Sequence, residues 1–148
     1  VDGLSSVHTI SGDIVLSGNE SLVDIEGLSA VNSIGGYVLI EGNTALLTVD
    51  GLSGITTLVG GFWIENNDSL LNLDGLSALS SVGGTLEVNN NPLLGTLNGV
   101  LNLTDLGGDL EVTGNTSLCQ SVVDGFVSTL QSLGWSNSYV VFGNDVGC

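Results

Sequence analysis

Residues 73–94 read LDGLSALSSVGGTLEVNNNPLL, and the same pattern recurs along the chain every 24 residues. A fixed short period of this kind is typical of solenoids, in which each repeat forms one coil and packs only against its neighbours. The sequence therefore predicts one domain, with five coils over residues 1–118 and a C-terminal cap over residues 119–148. Glycine follows this step at Gly3, Gly27, Gly51, Gly75 and Gly99. An apolar column follows it through Ile14, Val38, Phe62, Leu86 and Leu110.

Each coil contains one short stretch with the alternation expected of a half-buried β-strand. In the fourth coil, Leu86 and Val88 are expected to point inwards, and the residues between and beside them outwards. Because one coil cannot bury its own apolar face, the coils are expected to stack at about the 4.8 Å spacing of neighbouring strands. The sequence therefore predicts a right-handed β-solenoid with a parallel sheet.

An asparagine column accompanies the strands. Its side-chain amides, turned inwards at a corner, can bond the backbone of their own coil and of the next coil. We interpret the column as a structural ladder, with ligand binding by these amides as the alternative. Burial is expected to withhold Asn19, Asn67 and Asn115 from N-glycosylation, although all three match the acceptor motif. The column consists of Asn19, Asn43, Asn67, Asn91 and Asn115.

The pattern changes near residue 118, where a cap is expected. Ser117 and Gln120 have the spacing of a capping box at a helix start, and Gly134 is a candidate for the residue after the helix end. A last strand is expected over residues 139–142. Cys119 and Cys148 indicate a disulfide and hence an oxidising compartment, with two reduced thiols as the alternative.

The composition restricts the possible partners. The chain has no Lys or Arg and 16 Asp and Glu residues, giving a formal net charge of −16, while 42% of its residues are hydrophobic. Such a surface repels phosphate, so nucleic acid is excluded as a direct partner and anionic lipid is disfavoured. No apolar run has the length of a membrane span, so we expect no membrane insertion. Protein, carbohydrate and cations remain.

Nothing in the sequence resembles catalytic machinery. His8 is the only histidine, and no Lys or Arg is available, so no nucleophile–base constellation can be assembled. Paired carboxylates on adjacent coils, Glu41 with Glu65 or Glu87 with Glu111, keep acid–base catalysis formally open. We expect a protein that is not an enzyme and needs no cofactor.

The outward positions of the predicted sheet combine apolar and acidic side chains. An exposed apolar patch is expected from Val15, Tyr37, Leu39 and Trp63. Exposed aromatics on a rigid sheet are common anchors for protein recognition or for stacking on sugar rings. The alternative is that an adjoining domain or subunit covers the patch. The acidic residues predicted beside it are Glu41, Glu65 and Glu87.

Two further columns have competing explanations. Stacked carboxylates before the first glycine of each coil either cap the amides of the following turn or are bridged by Ca²⁺. Rows of hydroxyls, expected on a less strand-like side, suggest either a solvated turn-rich face or an ice-binding face. The carboxylate column is Asp2, Glu26, Asp50 and Asp74. The hydroxyl rows are Ser5, Ser29, Ser53, Ser77 and Thr9, Ser33, Thr57, Ser81.

The segment 84–94, GTLEVNNNPLL, fits the motif Gly-x-apolar-x-apolar-x-x-Asn-x-x-Leu, which recurs through the five coils. It resembles the receptor L-domain branch of leucine-rich-repeat-like solenoids, although the Asn-to-Leu step is three residues and not the standard two. The cysteine-tied end, with Trp135 and Gly143-Asn144-Asp145, looks like the caps of secreted bacterial members. The resemblance implies ligand binding through the sheet face, but it brings no universal site residues with it.

Together these features predict an extracellular or cell-surface module for recognition or adhesion, binding protein or carbohydrate. The alternative is a structural subunit that binds copies of itself in a surface layer, fibre or other homo-oligomeric assembly. The assembly alternative is suggested by the start of the sequence, Val1-Asp2-Gly3-Leu4, which lies within a coil. Such a start is expected to leave an apolar end that a preceding coil, another domain or a neighbouring molecule would cover. A calcium-stabilised adhesin segment or an ice-binding protein are further alternatives.

Overall fold

The computed structural model describes residues 2–148, except for the side chain of Asp2, and shows a parallel β-solenoid with one helix. The features expected of Val1 and of the Asp2 side chain lie outside the described residues. Six four-residue strands form one parallel sheet, here called the front sheet: β2 (Ile14–Ser17), β4 (Val38–Glu41), β6 (Phe62–Glu65), β8 (Leu86–Asn89), β10 (Leu110–Thr113) and β11 (Tyr139–Phe142). Five two-residue strands form the back sheet: β1 (Thr9–Ile10), β3 (Ser33–Ile34), β5 (Thr57–Leu58), β7 (Ser81–Val82) and β9 (Asp105–Leu106). Short 3₁₀ helices precede each β-pair: Asp2–Leu4, Glu26–Leu28, Asp50–Leu52, Asp74–Leu76 and Asn98–Val100.

The strands pair in the register that the repeat predicts. In the front sheet Val38 lies opposite Phe62 and Ile40 opposite Ile64, each 24 residues on. The amide nitrogen of Asn43 lies 3.1 Å from Oδ1 of Asn67, so these two residues occupy neighbouring coils. Residues one repeat apart therefore lie on adjacent strands, and the predicted parallel β-solenoid is confirmed.

The core is a stack of apolar layers enclosed by each coil. Val38, Ile40 and their equivalents point inwards from the front sheet, while the alternate residues face outwards, as the period of two requires. Ile34 enters the same interior from the back sheet and Leu28 from the 3₁₀ helix. Each side of the coil thus buries apolar side chains that one coil alone would leave exposed.

One hydroxyl row lies, as expected, on the less strand-like side of the coil, which is the back sheet with its two-residue strands. Ser33, Thr57 and Ser81 occupy the outward positions of the back sheet, whose strands are too short to show an alternation in the sequence. The neighbouring Ser80 and Thr104 hydroxyls donate to backbone carbonyls of the preceding coil, at 3.1 and 3.2 Å. These contacts give hydroxyls near the back sheet a structural role, while ice binding stays a prediction.

The first glycine column is required by close packing between the 3₁₀ helices. A Cβ atom at Gly51, Gly75 or Gly99 would collide with the carbonyl oxygen of Ile25, Val49 or Leu73, respectively. These contacts involve backbone, which cannot move without separating two coils. The glycines therefore set how closely successive coils approach.

We predict that Gly75→Ala lowers the free energy of unfolding by about 2–3 kcal/mol, because overpacking a closely packed site forces backbone shifts. Gly125→Ala is the matched control: Gly125 lies in the helix with no atom near the added Cβ, so this change is expected to stabilise by about 0.5–1 kcal/mol. Urea denaturation followed by circular dichroism measures both. Equal effects of the two substitutions would contradict the close-packing explanation.

The predicted asparagine ladder is present and makes the same bonds in each interior coil. Asn67 donates from Nδ2 to the carbonyl oxygens of Ile40 and Glu65, at 3.0 and 2.9 Å. Its backbone nitrogen and its Nδ2 both donate to Oδ1 of Asn91, at 3.1 and 3.2 Å. Each buried amide thus adds hydrogen bonds to backbone carbonyls at the strand ends and ties its own coil to the next.

The two ends of the ladder differ from its interior. Asn19 is exposed, which contradicts the expectation that burial would withhold its glycosylation motif, whereas Asn67 and Asn115 are buried. At the other end Asn115 donates to Oδ1 of Asn144, at 3.2 Å from its backbone nitrogen. Asn144 in turn donates to the carbonyl of Val112. The cap therefore supplies one more rung to the ladder.

We predict that Asn67→Ala destabilises the fold by about 3 kcal/mol, because it leaves the amide of Asn43 without its acceptor, at about 1–3 kcal/mol, and removes two bonds donated to carbonyls, at about 0.5–1.5 kcal/mol each. Asn19→Ala is the internal control, since the same side chain is exposed there and water can replace its bonds. Urea denaturation compares the two variants. A loss at position 67 no larger than that at position 19 would refute the ladder's role in stability.

The cap consists of the helix α1 (Gln120–Ser132), the strand β11 and the predicted disulfide, which joins Cys119 to Cys148. The predicted capping box with Ser117 as N-cap is wrong, because Cys119 is the residue before the helix. The Gln120 amide donates to the carbonyl oxygen of Asp145 at 2.7 Å. The helix start is thus fixed by the C-terminal segment. Gly134 follows the helix end at φ 97°, as predicted. In the described part of the chain, α1 lacks the length and apolarity to cross a bilayer.

Candidate functional site: the outward face of the front sheet

The register of the front sheet brings the predicted binding residues together on its outward face. Val15, Leu39 and Trp63 lie opposite one another on β2, β4 and β6, and the same column continues into Glu87 on β8. The acidic column beside it pairs Glu41 with Glu65 in the same way. Apolar and acidic side chains therefore form one continuous surface.

The centre of this surface is an aromatic pair. The rings of Tyr37 and Trp63 meet edge to face, with centroids 5.4 Å apart and planes at 84°. The indole also lies over Gly61, where a Cβ atom would approach its Cζ2 atom to 2.9 Å. The indole Nε1 donates to Oε1 of Glu87 at 2.7 Å. Three separate contacts thus fix the position of Trp63.

Because of these contacts, the apolar patch is less exposed than the sequence predicts. Val15 is exposed, at 52% of its surface, but Tyr37, Leu39 and Trp63 are half-buried and not fully exposed. The aromatic rings lie along the sheet because Gly61 leaves room for the indole. This role of Gly61 was not identified from the sequence, although a glycine two residues before a tryptophan could have indicated it.

Four carboxylates cross the face beside the aromatic pair. Glu41, Glu65, Glu87 and Glu111 lie on the consecutive strands β4, β6, β8 and β10, and all four are half-buried. The sequence contains no Lys or Arg to neutralise them. Glu111 was expected to pair with Glu87, as it does, but was not among the predicted binding residues. We call these four residues the glutamate line.

The glutamate line perturbs one of its own members. Burial raises the pKa of Glu65 above its ordinary value of 4.5, and the negative charge of Glu87, a side-chain hydrogen bond with Glu87, and the charges of Glu41 and Glu111 raise it further. Among the other carboxylates, Glu87 on the diagonal raises the pKa of Glu65 more than its same-column neighbour Glu41 does. His8, the one imidazole, is exposed just before β1 of the back sheet.

The carboxylates before the glycines are not the side chains that cap the turn amides. Among the described residues, the side chains of Glu26, Asp50 and Asp74 make no hydrogen bond to the turn amides. Side chains two residues earlier bond these amides: Asp24 accepts from the amide of Glu26 at 3.2 Å, and Asn72 from that of Asp74 at 3.0 Å. Within the described chain no group of three or more His, Cys, Asp or Glu side chains is placed to hold a metal ion.

Comparison with known proteins adds no family to this description, since no family model, curated protein or solved structure matches the chain. The geometry of the front face and the repeat motif are therefore the features that bear on function.

We predict that stability falls as the pH rises from about 4.5 through the raised pKa of Glu65, because in that range the native state holds a proton that the unfolded chain releases. Glu65→Gln removes this titration and should raise the melting temperature at neutral pH by about 1–3 °C. Thermal melts across the range from about pH 4 to pH 8 measure both effects. Glu20→Gln, at an exposed turn, is the control. A parallel pH profile in wild type and Glu65→Gln would contradict the assignment.

Proposed function

We propose that the chain is a non-enzymatic recognition or adhesion module of the cell surface or extracellular space, which binds a protein or carbohydrate ligand through the front face. The observation that carries the proposal is the Tyr37–Trp63 pair, held on consecutive strands by the neighbouring ring, by Gly61 and by Glu87. Aromatic side chains that are fixed before binding lose little conformational entropy when a ligand covers them.

The surrounding scaffold supports this function. The front sheet is anchored on one side by a fully apolar core and at its turns by the asparagine ladder, so its outward residues keep fixed spacings. Binding sites built on such rigid elements are more precise than sites on loops. A flat, regular face of this kind is suited to an extended macromolecular surface.

We further propose that the solenoid is right-handed and of the receptor L-domain, leucine-rich-repeat-like type. The recurrent Gly-x-apolar-x-apolar-x-x-Asn-x-x-Leu motif supports the assignment, as does its position: it spans the front strand and the asparagine turn in every coil. The disulfide between Cys119 and Cys148 supports an oxidising location outside the cell.

The alternative function, a subunit of a homo-oligomeric assembly, is favoured by one observation. β11 is the last strand of the front sheet, and its Tyr139, Val140 and Phe142 side chains are 47%, 44% and 64% exposed. An apolar edge strand of this kind can pair with another chain.

Light scattering in solution separates the two functions, because an assembly gives a mass that is a multiple of the chain's mass.

We predict that Trp63→Ala weakens ligand binding at least about tenfold while the melting temperature changes little, because the ring contributes to the surface and not to the core. An array of purified extracellular proteins and glycans provides the ligands, and biolayer interferometry the affinities. Val59→Ala, which truncates an exposed apolar side chain away from the front face, is the control and should bind as the wild type does. Equal binding by all three proteins would disprove a role for the front face.

A further inference from the structure

The front face offers hydrogen-bond acceptors and aromatic surface, but few donors. The glutamate line runs across four consecutive strands, a distance of about 14 Å at the usual strand spacing of about 4.8 Å. Carboxylates only accept hydrogen bonds when they are ionised. The indole N–H of Trp63 is already donated to Glu87. A ligand that pairs with the glutamate line must therefore bring donors of its own.

The electrostatics of the face select among such ligands. Four half-buried carboxylates lie on consecutive paired strands, Glu41 opposite Glu65 and Glu87 opposite Glu111, and like charges so placed repel one another. The sequence provides no basic side chain to relieve it, and no described group of carboxylates has the arrangement of a metal site. A neutral sugar would leave the repulsion in place. A ligand with positive charges would remove it.

Arginine fits both requirements beside Trp63. A guanidinium has five N–H donors and no acceptor, stacks on aromatic faces and pairs with carboxylates through its edge. The indole of Trp63 and the carboxyl groups of Glu65 and Glu87 lie side by side, with Trp63 bonded to Glu87 and Glu87 close to Glu65. One side chain can therefore stack and form ion pairs at the same place.

We propose that the front face binds a basic segment of a protein partner, in which an arginine stacks on Trp63 and pairs with Glu65 and Glu87, and further basic side chains lie against Glu41 and Glu111. The proposal rests on the proposed function and specifies the chemical class of its ligand. Charge complementarity favours a basic polypeptide over a neutral carbohydrate as the ligand, because all four side chains of the glutamate line carry negative charge.

The test uses three fluorescein-labelled peptides of equal length, which alternate serine with arginine, with lysine or with citrulline, the neutral analogue of arginine. Fluorescence anisotropy with the full chain at physiological salt measures their affinities. We expect the arginine peptide to bind at least about tenfold more tightly than the citrulline peptide and more tightly than the lysine peptide. Equal binding of the arginine and citrulline peptides would overturn the proposal.

A chain with a net charge of −16 attracts any basic peptide, so two double variants of equal charge provide the matched comparison. Glu65→Gln with Glu87→Gln neutralises the glutamate line, and the Gln amide can still accept the hydrogen bond from Trp63. Asp50→Asn with Asp74→Asn neutralises two exposed carboxylates elsewhere. We expect at least about a tenfold loss of arginine-peptide affinity in the first variant and less than about twofold in the second. Equal losses would mean general charge attraction and would reject the proposed site.

Array ligands distinguish failure of this proposal from failure of the proposed function. If Trp63→Ala abolishes binding of an array ligand that both double variants bind as the wild type does, the front face recognises its ligand without the carboxylates, and the basic-partner proposal is wrong. If the array ligand that behaves in this way is a glycan, the front face binds carbohydrate. If Trp63→Ala leaves every interaction unchanged, the proposed function itself fails.

Discussion

The side-chain amides of the asparagine column are the constraint on which the rest of the structure depends. In each interior coil the amide donates to two backbone carbonyls and accepts a backbone N–H from the preceding coil, as Asn91 does at distances of 3.0–3.1 Å. A strand pair can slip by two residues and keep its hydrogen bonds, but this amide has partners in one register only. Register is therefore fixed at the turn, outside the sheet, and the strands follow it.

A fixed register converts columns of the sequence into surfaces. The acidic and aromatic residues of the front face are far apart in the chain, and they meet because every coil has the same length. The face needs no enclosed cavity to be specific, because its chemistry comes from rows of side chains at regular spacing. The same regularity makes the glutamate line costly, since like charges are stacked on successive strands without any intervening cation.

Most of the fold could be predicted because the coil length, the inward apolar columns and the ladder are periodic features. In the cap, Gly134 and the disulfide pair could be predicted from a local helix-end signal and from a total of two cysteines. The errors concern local bonds that have no period. The helix start is bonded by Asp145, more than twenty residues away, so the capping signal at Ser117 had no means of revealing it. At the candidate site, the neighbours of Trp63 were predictable, but its contact with Gly61 and its bond to Glu87 depend on the rotamer of one side chain.

The way in which the cap joins the ladder has a consequence for the length of the protein. Asn144 occupies the next rung although it lies 29 residues beyond Asn115, and its side chain then donates to Gln120, at 3.0 Å, instead of to another asparagine. The cap thus bonds the last coil through the same kind of amide contact that joins two coils, and the row of asparagines ends at Gln120. Duplication or deletion of a whole interior repeat would preserve every junction, so the length of the binding surface can evolve in steps of one coil without redesign of its terminus.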